Sequence, residues 1–179
     1  MATLQDYRDE RLRKLDELKQ LGINPYPATS NRTRNAGTIL GDFDTLEGEN
    51  VVVAGRIMGI RKFGKLAFIV LRDMSGSIQL FLHAPDVAEL DVASGILGMK
   101  ELPLLDTGDF IEATGKVIKT KTGEISVGVS SLRLLTKSLR PMPTELTNKE
   151  ERFRRRYIDI NVNQEVRERF IRRSKFWQA

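Results

Sequence analysis

The sequence has no cysteine and a single histidine, His83. No disulfide and no thiolate zinc site can form, and Cys-His and Ser-His triads lack their parts. No apolar run approaches the roughly 20 residues that a membrane helix needs, so no membrane partner is expected. The opening Met1-Ala2-Thr3-Leu4-Gln5-Asp6 has neither a basic leader nor an apolar stretch behind it, and a cytoplasmic location is expected. Gly55, Gly59 and Gly64 do not space as a phosphate-cradling loop, and no cluster of metal-ligating side chains stands out. No catalytic residue, metal ligand or cofactor is therefore assigned to this chain. Proline is sparse, at 6, and 14 glycines with 30% charged residues do not make a disordered composition.

What is present suits one globular body with extensions: 179 residues, 40% of them hydrophobic, suffice for one buried core and are few for two full domains. The net charge is +5, and its placement says more than its size. Residues 152–175 hold nine basic side chains (Arg152, Arg154, Arg155, Arg156, Arg167, Arg169, Arg172, Arg173, Lys175) against three acids (Asp159, Glu165, Glu168), a local balance of +6, so the rest of the chain sums to −1. A second cluster, Arg56, Arg61, Lys62, Lys65 and Arg72, runs without an acid until Asp73. The two patches suit an anionic partner, and from charge alone they suit two solvated faces equally well.

Leu4, Tyr7, Leu12, Leu15, Leu18 and Leu21 recur at helical spacing, Thr3 can cap, and Gly22 with Asn24-Pro25 ends the pattern, which predicts an amphipathic helix over 3–21. Residues 24–37, rich in Pro, Asn, Ser and Thr, read as an irregular lead-in. From Val51 the period becomes that of strands. Runs at 51–58, 66–72 and 77–82 are separated by Phe63-Gly64-Lys65 and Ser75-Gly76. A helical or irregular stretch, Pro85 to Lys100, precedes strands at 110–119 and 124–134, which are joined by Thr120-Lys121-Thr122-Gly123. The order β-β-β-α-β-β predicts a mainly β fold, the five-stranded Greek-key barrel called the OB-fold, with an N-terminal helix and a C-terminal helical extension. The face of that barrel around strands 2 and 3 binds oligonucleotides. A small SH3-like barrel or an open meander is the structural rival. The expected division is 1–50 as helix and lead-in, 51–139 as barrel, and 140–179 as linker and the start of another domain.

Alternation assigns faces. With Ala67, Ile69, Leu71, Ile78, Leu80 and Leu82 inward, Phe68, Gln79 and Phe81 point out; with Ile125, Val127 and Val129 inward, Glu124 joins the outer set. Phe68, Gln79, Phe81 and Glu124 are thus expected to share a surface rimmed by Arg56, Arg61 and Lys65. On pattern alone the aromatics are as readily core beneath the 3–21 helix as a stacking platform. Leu139-Arg140-Pro141-Met142-Pro143 must be extended because each proline restricts its predecessor. Beyond it a helix is expected after Asn163, with Val166, Phe170, Ile171, Ser174 and Trp177 on one side and an apolar end, Phe176-Trp177, that looks unfinished.

Six segments now resemble, in order, the class II lysyl-tRNA synthetases of bacterial type. They are Leu21-Gly22-Ile23-Asn24-Pro25-Tyr26, Val53-Ala54-Gly55-Arg56-Ile57-Met58, Leu105-Asp106-Thr107-Gly108-Asp109, Lys119-Thr120-Lys121-Thr122-Gly123-Glu124-Ile125-Ser126, Leu134 through Pro143, and Arg152-Phe153-Arg154-Arg155-Arg156-Tyr157-Ile158-Asp159. The last two resemble the lysyl branch more than the aspartyl and asparaginyl enzymes that share the barrel. The resemblance implies an anticodon-binding OB-fold whose partners are lysine tRNA, its own catalytic domain and, in the full-length homodimer, a second copy. It implies that lysine attachment uses ATP and Mg in the full-length enzyme only, and that 164–178 opens the motif 1 helix, so this chain alone is expected to be catalytically silent. It further implies that Phe68 stacks on the central anticodon base, that Gln79 and Glu124 read uridine edges, and that Arg56 and Arg61 meet the loop backbone. A free-standing OB-fold binding single strands or a protein is the competing function. For Glu124 a plain turn role, and for Arg152 to Arg156 a salt-bridged surface against another domain, are the plainer alternatives.

Overall fold

The computed structural model describes residues 3–143 and 145–178, in two compact units that divide between Pro141 and Met142. The first unit opens with α1 (Leu4–Gln20), whose N-terminus is closed by a reciprocal capping box: Asp6 N–H donates to Thr3 Oγ1 and Thr3 N–H to Asp6 Oδ2. Leu15 and Leu18 turn inward. Two short helices follow, α2 (Ala36–Gly41) and α3 (Phe43–Leu46), which the strand and turn signals of the lead-in did not announce. They are six and four residues long, too short for a helical period to register.

Six strands then form the body: β1 (Asn50–Phe63), β2 (Leu66–Arg72), β3 (Ser77–His83), β4 (Ile96–Leu97), β5 (Phe110–Lys119) and β6 (Ile125–Thr136). They order as β3-β2-β1-β5-β6-β4, and a parallel pairing of β3 with β6 closes the five long strands into a barrel. The expected OB-fold is thus the observed one. The alternation is also as expected: Ala67, Ile69, Leu71, Ile78, Leu80, Leu82, Val127 and Val129 are all buried in the common core with Val51, Val53, Ile57, Ile111, Ala113 and Val117. At Gly115 the β5 backbone runs so close to Gly128 of β6 that a Cβ would collide with the Gly128 carbonyl.

Two expectations need correction. Residues 85–100 hold no α-helix: the chain makes turns around Asp91, whose Oδ1 accepts from Ala93 N–H, reaches the two-residue β4 against β6, and then a 3-10 turn at Leu102–Leu104. Glycines 95 and 98 and Pro103 interrupt any helical run there, Gly95 at φ 69°. Phe63, assigned to a turn, is instead the last residue of a 14-residue β1, and Gly64 at φ 57° makes the turn.

The N-terminal residues pack on the barrel. The buried Arg11 guanidinium donates to the carbonyls of Thr107 (2.8 Å), Ser138 (3.0 Å) and Arg140 (3.0 Å). Ser30 Oγ donates to Glu112 (2.7 Å), which also pairs with Arg133 at 2.8 Å. Thr33 exchanges hydrogen bonds with Val52 along the part of β1 that β2 does not reach, covering an otherwise open strand edge. Around Lys137, whose side chain is wholly buried, Nζ donates to Leu104 O (2.8 Å), Asp106 Oδ2 (2.6 Å) and Asp109 Oδ2 (2.7 Å). Lys14 of α1 reaches the same Asp106 at 2.8 Å.

The second unit is helical: α4 (Lys149–Arg154), α5 (Arg156–Val162) and α6 (Gln164–Gln178), the last as expected from Asn163 onward. Its arginine run is paired within the unit. Arg152 and Arg156 both bind the buried Asp159, at 2.9 and 2.7 Å, while Arg154 and Arg155 reach Glu150 and Glu151. Phe176 and Trp177 are exposed.

Candidate nucleic-acid interface

The register of three strand pairings sets one row across the outer face of the barrel. Arg61 of β1 stands opposite Phe68 of β2, Phe68 opposite Phe81 of β3, and Phe81 opposite Gly128 of β6. Cross-strand partners project to the same side, so one cation and two rings share a line. The Phe68 and Phe81 rings are tilted with centroids 5.4 Å apart and are half-buried. Helix α1 is bound elsewhere, through Arg11 to the Thr107 and Ser138 region.

Two residues along β3, Gln79 pairs with Val70 on one side and Ser126 on the other, and its Nε2 donates to the buried Ser126 Oγ at 3.0 Å. That bond fixes the amide beside the rings. Glu124 was expected inside strand 5, but it lies just before β6, in the hairpin after Gly123. Thr120 Oγ1 receives its N–H at 3.1 Å, and its carbonyl receives Thr120 N–H at 2.9 Å, so the backbone is held while the exposed carboxylate has no hydrogen bond or ion pair among the described residues. It has the turn conformation that its sequence neighbours suggested, and a free acceptor besides.

Arg61 and Lys65 are exposed, Arg61 in the row itself and Lys65 in the adjoining hairpin turn. Arg56 is placed differently. It pairs with Arg72, four residues beyond Phe68 along β2, which is about 13 Å at strand rise. Its guanidinium lies over the Phe110 ring at 4.4 Å and donates to Gly108 O at 3.2 Å. Burial lowers its pKa from the ordinary arginine value. Between Arg56 and Arg61 the β1–β2 register slips at Met58, a bulge that a reading by strict alternation cannot foresee.

Sequence reasoning missed two participants. Ser126 orients Gln79, and the signal was only its outward parity in β6. Phe63 extends the row of rings: it meets Phe68 edge to face at 6.3 Å and 67° and is 62% exposed. It shares its side of β1 with Arg61, while its neighbour Gly64 gives it the sequence signature of a turn.

The arrangement, rings and amide on a barrel face with cations at the edge, is of the class that suits single-stranded nucleic acid, with rings to stack on and polar groups for base edges. Residues 51–135 match a tRNA anticodon family model described as an OB-fold nucleic acid binding domain, and this barrel region belongs to that family. The similar full-length proteins are lysine-tRNA ligases. The chain is 46% identical over 168 residues to the lysine-tRNA ligase of Carboxydothermus hydrogenoformans, a match covering 92% of this chain and 33% of that protein. It is 43% identical over 183 residues to that of a Nostoc species (96% and 32%) and 39% identical over 182 residues to that of Clostridium acetobutylicum (99% and 34%). The chain spans about a third of the length of the curated relatives it matches.

Proposed function

We propose that this chain is the anticodon-recognition module of a lysyl-tRNA synthetase, gripping the anticodon loop of lysine tRNA while another part of the full-length enzyme attaches lysine with ATP and Mg. The observation that carries the reading is the cross-strand row Arg61, Phe68, Phe81 with Gln79 and Glu124 beside it. Unpaired loop bases expose a π-face for the two rings and free Watson-Crick edges for the amide and carboxylate. A carboxylate accepts the N3–H of uracil, which cytosine lacks, so Glu124 discriminates between pyrimidines. Arg61 and Lys65 meet the RNA backbone. Arg56, already engaged with Phe110 and Gly108, braces the barrel rather than the loop. The partners of the whole protein would be lysine tRNA, its own catalytic domain and a second copy, in the cytoplasm; the lysine-tRNA ligase relatives support this.

The test compares binding of the chain to stem-loops carrying UUU, UUC and GUC anticodons. Tightest binding to UUU is expected, with UUC, whose cytosine lacks the N3–H, clearly weaker. Preference for GUC would move the module to the aspartyl branch, and equal binding to all three would make it a sequence-tolerant single-strand binder.

A further inference from the structure

We propose that Phe63 is a third base-stacking position, taking the nucleobase next along the RNA from the one stacked on Phe68. The proposal rests on the anticodon-loop reading and extends the RNA contact past the two rings that reading uses. Phe63 faces outward: its cross-strand partner is Leu66, and the inner position at this end of the hairpin belongs to Ala67, opposite Lys62. At 62% exposure the Phe63 ring contributes little to the core. Its edge-to-face packing on Phe68 still restricts its rotamers, so little side-chain entropy remains to be lost when a base arrives.

The surroundings suit one occupant. Phe63 is continuous with the Phe68–Phe81 pair, and exposed Lys65 lies in the adjoining turn, with Arg61 two residues before it on the same side of the strand. An aromatic face beside cations matches a base attached to its phosphates, whereas an apolar protein partner would have to desolvate those charges. The angle adds a constraint. With the Phe63 and Phe68 ring planes 67° apart, two consecutive bases cannot stay stacked on each other while each lies on its own ring. The RNA must turn between them, leaving the Phe63 base splayed from its neighbour.

The test is a double-mutant cycle. Each base of the UUU loop is removed in turn to give an abasic site, and binding is measured to the unsubstituted chain and to Phe63→Leu, Phe63→Trp and Phe68→Leu. Phe63→Leu should weaken binding about 5- to 10-fold, the lower end for one base-aromatic stack, and Phe63→Trp should retain it. Phe63→Leu should be non-additive with one abasic position, adjacent to the position that couples to Phe68→Leu. A loss below about twofold, or additivity at every position, overturns the proposal, as does coupling at the Phe68 position alone, which would make Phe63 a buttress. Any of these leaves the anticodon reading standing. Should the unsubstituted chain not distinguish UUU from an unrelated loop, that reading falls and the proposal with it.

Discussion

Replacing Lys137 with methionine isolates the buried polar knot that ties the barrel to its neighbours. The ammonium is fully enclosed and gives its three hydrogens to Leu104 O, Asp106 Oδ2 and Asp109 Oδ2, at 2.6 to 2.8 Å. Methionine fills similar volume but leaves the wholly buried Asp109 without a cation and a carbonyl without a donor. Asp109 keeps the N–H groups of Ser138 and Asp106, and Asp106 keeps Lys14, so the loss is that of one buried pair rather than a whole network. Breaking such a pair from one side costs about 3–5 kcal/mol, a large part of the roughly 5–15 kcal/mol that holds a domain folded. At about 3 °C per kcal/mol for a unit of this size, the midpoint should fall by roughly 9–15 °C. Thermal unfolding followed by circular dichroism at neutral pH measures it, and urea titration should show a lower midpoint with unchanged slope. Lys14→Ala, which removes a partly solvated pair, should cost about 1 kcal/mol or less. If Lys137→Met loses no more than about 3 °C, the knot contributes packing and not electrostatics, and the reasoning is wrong.

Phe68→Ala should weaken UUU-loop binding by about 1–3 kcal/mol with little change in base preference, because every base has a π-face, and should destabilise the barrel by less than the ~3–5 kcal/mol of a core phenylalanine. Unfolding, or unchanged binding by titration, would refute the face assignment. Glu124→Gln should leave the melting midpoint intact and narrow the discrimination between UUU and UUC loops in a competition assay, since an amide donates as well as accepts. Burial opposes ionisation of Asp106 and Asp73, but hydrogen bonds outweigh it, from Lys137 and Lys14 to the first and from Ser75, Ala36 and Gly76 to the second, so both titrate below the ordinary carboxylate value. A depressed folded pKa gives stability that is complete above the unfolded value near 3.9 and is lost as pH falls through the folded one. Urea midpoints should therefore stay level as far as these groups are concerned down to about pH 5 and drop below about pH 4, and the drop should shrink in an Asp106→Asn, Asp73→Asn double variant. Trp177, 79% exposed, should emit as a solvated indole and be freely quenched by acrylamide; a blue shift that grows with protein concentration would reveal self-association of the C-terminal helices.

The sequence disclosed what repeats. Strands β2 and β3 were legible because Ala67, Ile69 and Leu71 alternate with polar or aromatic neighbours, and the parity that buried them also turned out Phe68, Gln79 and Phe81. Helix α1 was legible from leucine spacing and Thr3. What stayed hidden depended on single events. The bulge at Met58 resets the parity of β1, so that Arg56 and Arg61, five positions apart, share a face, and only Gly59 beside it hints at the slip. The two residues of β4 are set by their partner β6 rather than by any local preference. Nothing local marks Lys137 as buried, because its three acceptors come from residues about thirty positions away. Phe63 was lost to the convention that a residue before Gly64 belongs to the turn.

The barrel is closed by a short parallel pairing in which Gln79, Leu80 and Phe81 meet Ser126, Val127 and Gly128. The same residues carry the ring and the amide of the proposed reading surface, which therefore lies on the seam of the cylinder. A one-residue slip of β3 against β6 would exchange inner and outer side chains, sending Leu80 to solvent and Phe81 into the core. The hydrophobic core therefore proofreads the position of the decoding groups: a mispaired seam is too unstable to persist, and no separate device is needed to keep the reader in frame.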